Sequence, residues 1–143
     1  MRISDILRRK GDTVATVRPD ASVSELLSRL ATHNVGALVV SEDAVTVAGI
    51  VSERDVVRRL HVEGAGLLQH KVRDIMTADV ATCAPAHAVD DLMRVMTERR
   101  IRHVPVLVDG RLAGLVSIGD IVKHRIGELE DETHQLESYI HGG

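Results

Sequence analysis

Phenylalanine and tryptophan are missing from this 143-residue chain, and Tyr139 is its only aromatic residue. A core must therefore be assembled from Val, Leu, Ile, Ala and Met. The stacking platforms on which single-strand nucleic-acid binders seat their bases are excluded. Cysteine is almost absent as well. Cys83 stands alone, which rules out an internal disulfide and fits a reducing cytoplasm. Positive charge is not in excess: 18 Lys and Arg against 21 Asp and Glu give a formal net charge of −3, and hence no general attraction to nucleic acid. No apolar run approaches the roughly 18 residues of a membrane span. The start, MRISDILRRKG, lacks the apolar stretch of a signal peptide. The histidines form no His-x-x-x-His pair, and neither a Gly-x-Ser-x-Gly stretch nor a P-loop occurs, so nothing points to a metal centre or a catalytic machine.

What is present is an ordinary globular composition, 44% hydrophobic and 27% charged, with length for one packed unit. Within it lies a repeat. Residues 14–40, VATVRPDASVSELLSRLATHNVGALVV, align with residues 80–106, VATCAPAHAVDDLMRVMTERRIRHVPV. Val14, Ala15, Thr16, Pro19, Val23, Leu26 and Val40 recur as Val80, Ala81, Thr82, Pro85, Val89, Leu92 and Val106. With one residue dropped, AGIVSERDVV (48–57) then aligns with AGLVSIGDIV (113–122). Two copies do not make a solenoid; they predict two similar units packed about a pseudo-twofold axis.

Each unit reads as strand, helix, strand, strand, helix. VATV at 14–17 and VATC at 80–83 are expected as short strands closed by proline. In SVSELLSRLATH the apolar spacing at 23, 26, 27 and 30 is helical, and Ser22 with Glu25 has the form of a capping box. GALVV and VAGIV are expected as strands, and SERDVVRRLH opens a second helix. Asp109-Gly110-Arg111 predicts a tight hairpin turn. VEGAGLLQHK (62–71) joins the units. RISDILR and KVRDIMT, ahead of the two copies, read as short leading helices. The fold class expected is therefore α+β. Cys83, in its strand, reads as a small buried hydrophobe, and Met76, Met93 and Met96 as core filler. In the tail, Ile126, Leu129, Thr133, Leu136 and Ile140 are spaced 3, 4, 3 and 4, a heptad-like stripe. It fits a helix packed on its own unit or one that meets a second subunit.

The chemistry concentrates where each unit's last strand meets its last helix. GIVSERD (49–55) and GLVSIGD (114–120) both place Ser three residues ahead of Asp. One reading is a helix cap, with an acid on the favourable end of the dipole. The other is a ligand seat. Free N–H groups and a hydroxyl at a helix start suit phosphate, and a carboxylate one turn on can accept from the vicinal diol of a ribose. The basic run ERRIRH (98–103) reads as a solvated or phosphate-facing cluster rather than a nucleic-acid patch.

The ordered pair of repeats, with NVGALVV and GIVSERD in the first and RRIRHVPV and GLVSIGD in the second, resembles a tandem pair of CBS domains, a Bateman module, over nearly the whole chain. The resemblance implies a regulatory module without catalytic cofactor. It would bind adenine nucleotides (AMP, ADP, ATP, S-adenosylmethionine or NAD(H)-type dinucleotides) in clefts between the repeats. It would form a homodimer and signal through that dimer or a protein effector. One site would combine Ser52, Arg54 and Asp55 with Thr82, Arg102, His103, Val104 and Pro105. The other would combine Ser117, Ile118, Gly119 and Asp120 with Thr16, Val35, Gly36 and Ala37. Asp55 and Asp120 would hold ribose, and Ser52 and Ser117 would face phosphate. The first site, with Arg54, Arg102 and His103, is the one suited to polyphosphate; the second is poor in cations. The family's apolar-Pro signature is incomplete in the first repeat, where Val39 stands in place of Pro105. The expected divisions are a first repeat with its leading helix and linker over 1–71, a second over 72–125 and a helical tail over 126–143. The competing expectation is a ligand-free interaction module in which Ser and Asp serve only as caps.

Overall fold

The computed structural model describes residues 1–11 and 13–142. The chain runs α1 (Ile3–Lys10), β1 (Thr16–Val17), α2 (Val23–His33), β2 (Ala37–Val40), β3 (Gly49–Ser52) and α3 (Glu53–Glu63). A 3-10 turn over Gly64–Gln69 leads to α4 (Val72–Ile75), α5 (Val89–Arg99), β4 (His103–Val108), β5 (Arg111–Ser117) and α6 (Ile118–Gly142). This is the mixed helix-and-strand architecture the repeats predict.

In the first half, β1 lies parallel to β2 and β2 antiparallel to β3. In the second, β4 and β5 form the matching hairpin, turned by Asp109 (φ 53°) and Gly110 (φ 77°). Two consecutive positive φ values belong to the hairpin turn whose twist suits the strands. The strand expected at 80–83 does not form. Only Cys83 pairs, in parallel, with Val106: its N–H donates to the Pro105 carbonyl at 3.0 Å, and its carbonyl accepts from Leu107 N–H at 2.8 Å. The equivalent strand in the first half is itself only two residues long, so losing one pair leaves a single bridge. Cys83 is buried, and burial pushes its thiol up to about 11. At the start of α2, Ser22 Oγ accepts from Glu25 N–H at 3.0 Å; among the described residues the return bond from Glu25 is absent, so half of the expected box forms.

Each half has its own aliphatic core. One is built on Val17, Val23, Leu26, Leu38, Val40 and Val51. The other is built on Val89, Leu92, Met96, Val104, Val106 and Val116, with Met96 taking the volume an aromatic would fill. The leading helices cross over. Ile3 and Ile6 of α1, at the front of the first repeat, complete the second core. Val72 and Ile75 of α4, at the front of the second repeat, complete the first. Backbone pairs fix the exchange: Ile3 N–H donates to the His87 carbonyl and Val89 N–H to the Met1 carbonyl. Val23 N–H donates to the His70 carbonyl and Val72 N–H to the Ala21 carbonyl. Burying each such side chain contributes about 1.5–3 kcal/mol, so each half draws stability from the other's leader.

The expected tail has no separate start. It continues the last helix of the second repeat without a break, giving 25 residues from Ile118 to Gly142. The first turns of α6 pack on α1, α5 and β5, whereas every residue over 129–141 is exposed.

Candidate functional site

Both Ser-x-x-Asp motifs are complete capping boxes. Ser52 N–H donates to Asp55 Oδ2 at 2.8 Å, and Asp55 N–H donates to Ser52 Oγ at 3.4 Å. Ser117 N–H donates to Asp120 Oδ2 at 2.9 Å, and Asp120 N–H donates to Ser117 Oγ at 3.1 Å. The Ser52 hydroxyl adds a bond to Asp55 Oδ2 at 3.2 Å. Glycine allows close approach three residues before each cap serine. A Cβ on Gly49 would come within 2.7 Å of the Thr77 carbonyl oxygen, and one on Gly114 within 2.7 Å of Leu7 Cδ2.

Around the first cap lies a cleft of about 460 Å³. The start of β2 contributes Gly36 and Ala37, and the end of β3 Ile50 and Ser52. The first turns of α3 contribute Glu53, Arg54, Asp55 and Arg58, and Thr77 closes one side. The other half supplies Arg99, Arg100, Ile101, Arg102 and His103, where α5 gives way to β4. Five arginines thus ring one cleft. Among the described residues none of the five has a carboxylate within ion-pair distance, although other arginines pair with acids. Arg100 is also strained: it ends α5 with φ 55°, in the left-handed region. Its counterpart Asn34, at φ 52°, is a residue type that adopts this conformation readily. His103 sits between the two caps. Burial, and next the Lys10 charge, hold its imidazole below the usual value, against the opposing pull of Asp120 and Glu53.

The structure regroups the residues expected from the sequence. Ser52, Arg54, Asp55, Arg102 and His103 meet in this cleft. Gly36 and Ala37, expected with Ser117 and Asp120, line the Ser52 cleft instead. The β2–β3 register puts them there: Ala37 stands opposite Ser52, and Glu53 N–H donates to the Gly36 carbonyl at 2.9 Å. Across the pseudo-twofold axis, a Cβ on Gly36 would stand 3.8 Å from His103 Cε1. Val104 and Pro105 are buried, and Thr82 is exposed away from the cleft lining. Thr16 gives its carbonyl to Arg29 Nε at 2.9 Å, and Val35 is exposed. Asp120 faces a separate cleft of about 330 Å³, lined also by Ile6, Arg9, Lys10, Lys123 and His124, so the cleft expected to be poor in cations is not. Ser117, beside it, is bonded to Asp120. Ile118 and Gly119 are exposed at the first turn of α6. Arg58, Arg99, Arg100, Ile50 and Thr77 were not expected in the site. The run Glu98-Arg99-Arg100 carried a signal for two of them; the others depend on which helix faces which strand.

A sequence model of the CBS domain matches residues 3–62 and again 72–127. The chain belongs to the CBS-domain family. This CBS pair resembles the crystal structure of the CBS-domain containing protein ATU1752 from Agrobacterium tumefaciens, with TM-score 0.85 and 46% identity, over 87% of this chain and 99% of that one. It is 38% identical to the mitochondrial CBS domain-containing protein CBSX3 of Arabidopsis thaliana, over 99% of this chain and 72% of the relative. It also resembles the CBS domain pair of protein MJ0100, solved in complex with 5′-methylthioadenosine and S-adenosyl-L-methionine, with TM-score 0.76 and 26% identity, over 86% of this chain and 98% of that one. Among the described residues no helix of the CBS pair is long and apolar enough to cross a membrane.

Proposed function

We propose that this CBS pair is a non-catalytic regulatory module that binds a polyphosphate-bearing adenine nucleotide in the Ser52–Asp55 cleft. ATP fits best, followed by ADP and the pyrophosphate of NAD(H). The observation that carries the reading is the ring of five arginines without carboxylate partners, in a chain of net charge −3. Unpaired guanidinium groups repel one another and are stabilised by an anion that bridges them. Asp55 holds its cap through Oδ2, and among the described residues its Oδ1 has no partner, leaving an acceptor for a ribose diol. The adenosine compounds bound to the MJ0100 pair support the nucleoside half. S-adenosylmethionine itself carries a sulfonium cation and suits an arginine-lined cleft poorly.

Calorimetric titration of the full chain with ATP, AMP and S-adenosylmethionine tests this. ATP binds more tightly than AMP by at least about tenfold, since one further charge-assisted bond contributes about 1.5–3 kcal/mol. Asp55→Asn weakens ATP by a similar factor. Silent titrations with all three compounds would sink the assignment. The second reading is a ligand-free interaction module. It is favoured by both caps being satisfied without a ligand, and it predicts that no nucleotide raises the melting temperature.

In this reading the module signals through a homodimer or a protein effector. Val122, Ile126, Leu129, Leu136 and Ile140 are all more than half exposed along one stripe of α6. Lys123 lies at the start of the stripe and Glu130, Glu132 and Glu137 toward its end, so an antiparallel second copy brings opposite charges together. The buried lone thiol of Cys83 suits a reducing compartment such as the cytoplasm.

A further inference from the structure

The second cleft has the frame of the first but is occupied by its own chain. Asp120 Oδ2, already bonded to Ser117 N–H, also takes Lys10 Nζ at 2.6 Å. The same ammonium donates to the Leu115 carbonyl at 2.6 Å. Lys10 is held there by its helix. Ile3 and Ile6 of α1 are buried in the second core, and Leu7 lies directly over Gly114.

The first half shows what happens when this arm is missing. Its leader α4 stops at Ile75. Thr77 then pairs antiparallel with Ile50, with both N–H···O bonds at 2.9 Å. In the alignment of the two leaders, Asp79 stands where the other copy has Lys10. Asp55 has no ion-pair partner among the described residues, and its one extra bond, from the Ser52 hydroxyl, is released by rotating a single side-chain bond. The cations also differ: Arg9, Lys10, Lys123 and His124 line the second cleft, against five arginines at the first. The positions matching Arg99, Arg100 and Arg102 are His33, Asn34 and Gly36.

We propose that Lys10 keeps the second cleft closed to nucleotides, so that the CBS pair takes up one nucleotide per chain, at the Ser52–Asp55 cleft. The inference rests on the nucleotide reading above. A ribose diol offers Asp120 neutral hydroxyl donors in exchange for an ion pair with the Lys10 ammonium, a bond charged on both sides. A phosphate chain entering there meets Arg9, Lys123 and His124, of which Arg9 already faces Asp131 at 4.0 Å, rather than five unpaired arginines.

Equilibrium titration of the full chain with ATP tests it, using wild type, Lys10→Gln and Lys10→Met, each alone and combined with Asp55→Asn or Asp120→Asn. Wild type is expected to bind one equivalent, which Asp55→Asn weakens by at least about tenfold. Each Lys10 variant is expected to bind two, the second of which Asp120→Asn removes. Two equivalents on wild type, or one on both Lys10 variants, overturns the role of Lys10 and leaves the nucleotide reading standing. Weaker binding at the first cleft in both Lys10 variants makes the lysine a ligand contact and overturns it equally. No binding to wild type, with one Asp120-dependent equivalent on the Lys10 variants, upholds the closure and sinks the reading of the first cleft. No binding to any protein overturns both.

Discussion

The two clefts start from one motif, Gly-x-Val-Ser-x-x-Asp, and end as opposites. Each is founded on a strand that runs into a helix through a Ser–Asp cap, and each is roofed by a leading helix. Around Ser52 the leader is one turn long, the carboxylate lacks an ion-pair partner and five arginines face the opening. Around Ser117 the leader has eight residues, and its last one reaches the carboxylate. Duplication therefore conserved the frame that positions a site and let its electrostatics diverge. Frame positions are buried and set by packing, so changes there cost stability. Positions at the rim are solvated and change freely.

The comparison can be broken most sharply at the arginines. Replacing both Arg54 and Arg102 with Gln removes two charge-assisted bonds, which is expected to weaken ATP by about a hundredfold or more while AMP loses much less. Equal losses for the two nucleotides, read by calorimetry, would mean that the ring does not select phosphate number.

The glycines under the two leaders come next. Gly49→Ala sets a Cβ against the backbone oxygen of Thr77, whereas Gly114→Ala meets the far end of the flexible Leu7 side chain. The first is expected to cost about 1–3 kcal/mol and the second less than about 1 kcal/mol. Urea melts that rank them the other way would show that the α1 roof is the more rigid one.

Arg100→Asn copies the residue of the other half into the left-handed position. It should stabilise the fold by about 1 kcal/mol and weaken ATP binding. A stability gain with unchanged affinity would remove Arg100 from the site.

The smallest effect concerns pH. His103 is held below the ordinary histidine value of 6.5 by burial and the Lys10 charge, so folding favours its neutral form. The unfolded chain takes up the proton first as pH falls, and the His103 contribution to stability is lost below about pH 6.5. A bound polyphosphate raises the imidazole pKa instead, so ATP binding should strengthen a few-fold between about pH 7.5 and 6. His103→Gln is expected to flatten that profile.

Much of the fold was legible because it was written twice. Apolar spacing in 23–30 and 89–96 gave α2 and α5, and the turn chemistry of Asp109-Gly110 gave the hairpin. Positions such as Val40 and Val106 stood out as core because they recur. The strand at 80–83 was over-read, since a sequence does not say how many of its residues find a partner. The continuity of α6 through the expected division at 125/126 was not legible either, since nothing local ends the helix before residue 142. Within the site, Ser52, Asp55 and Arg102 were visible as motif and charge. The pairing of Gly36 and Ala37 with Ser52 was not, because it depends on the register of β2 against β3, which sets Ala37 opposite Ser52.

The chain alone determined an aliphatic core without aromatics, two repeated helix–strand–strand–helix units and a Ser–Asp cap at the start of the last helix of each. These follow from composition and short-range spacing, which act within a few residues of one another. Only tertiary structure decided that the leaders trade cores and that Lys10 reaches Asp120 across 110 positions. It also decided that five arginines from both halves share one opening. Such contacts are chosen by helix length and by the packing of one half on the other, quantities that no local pattern encodes.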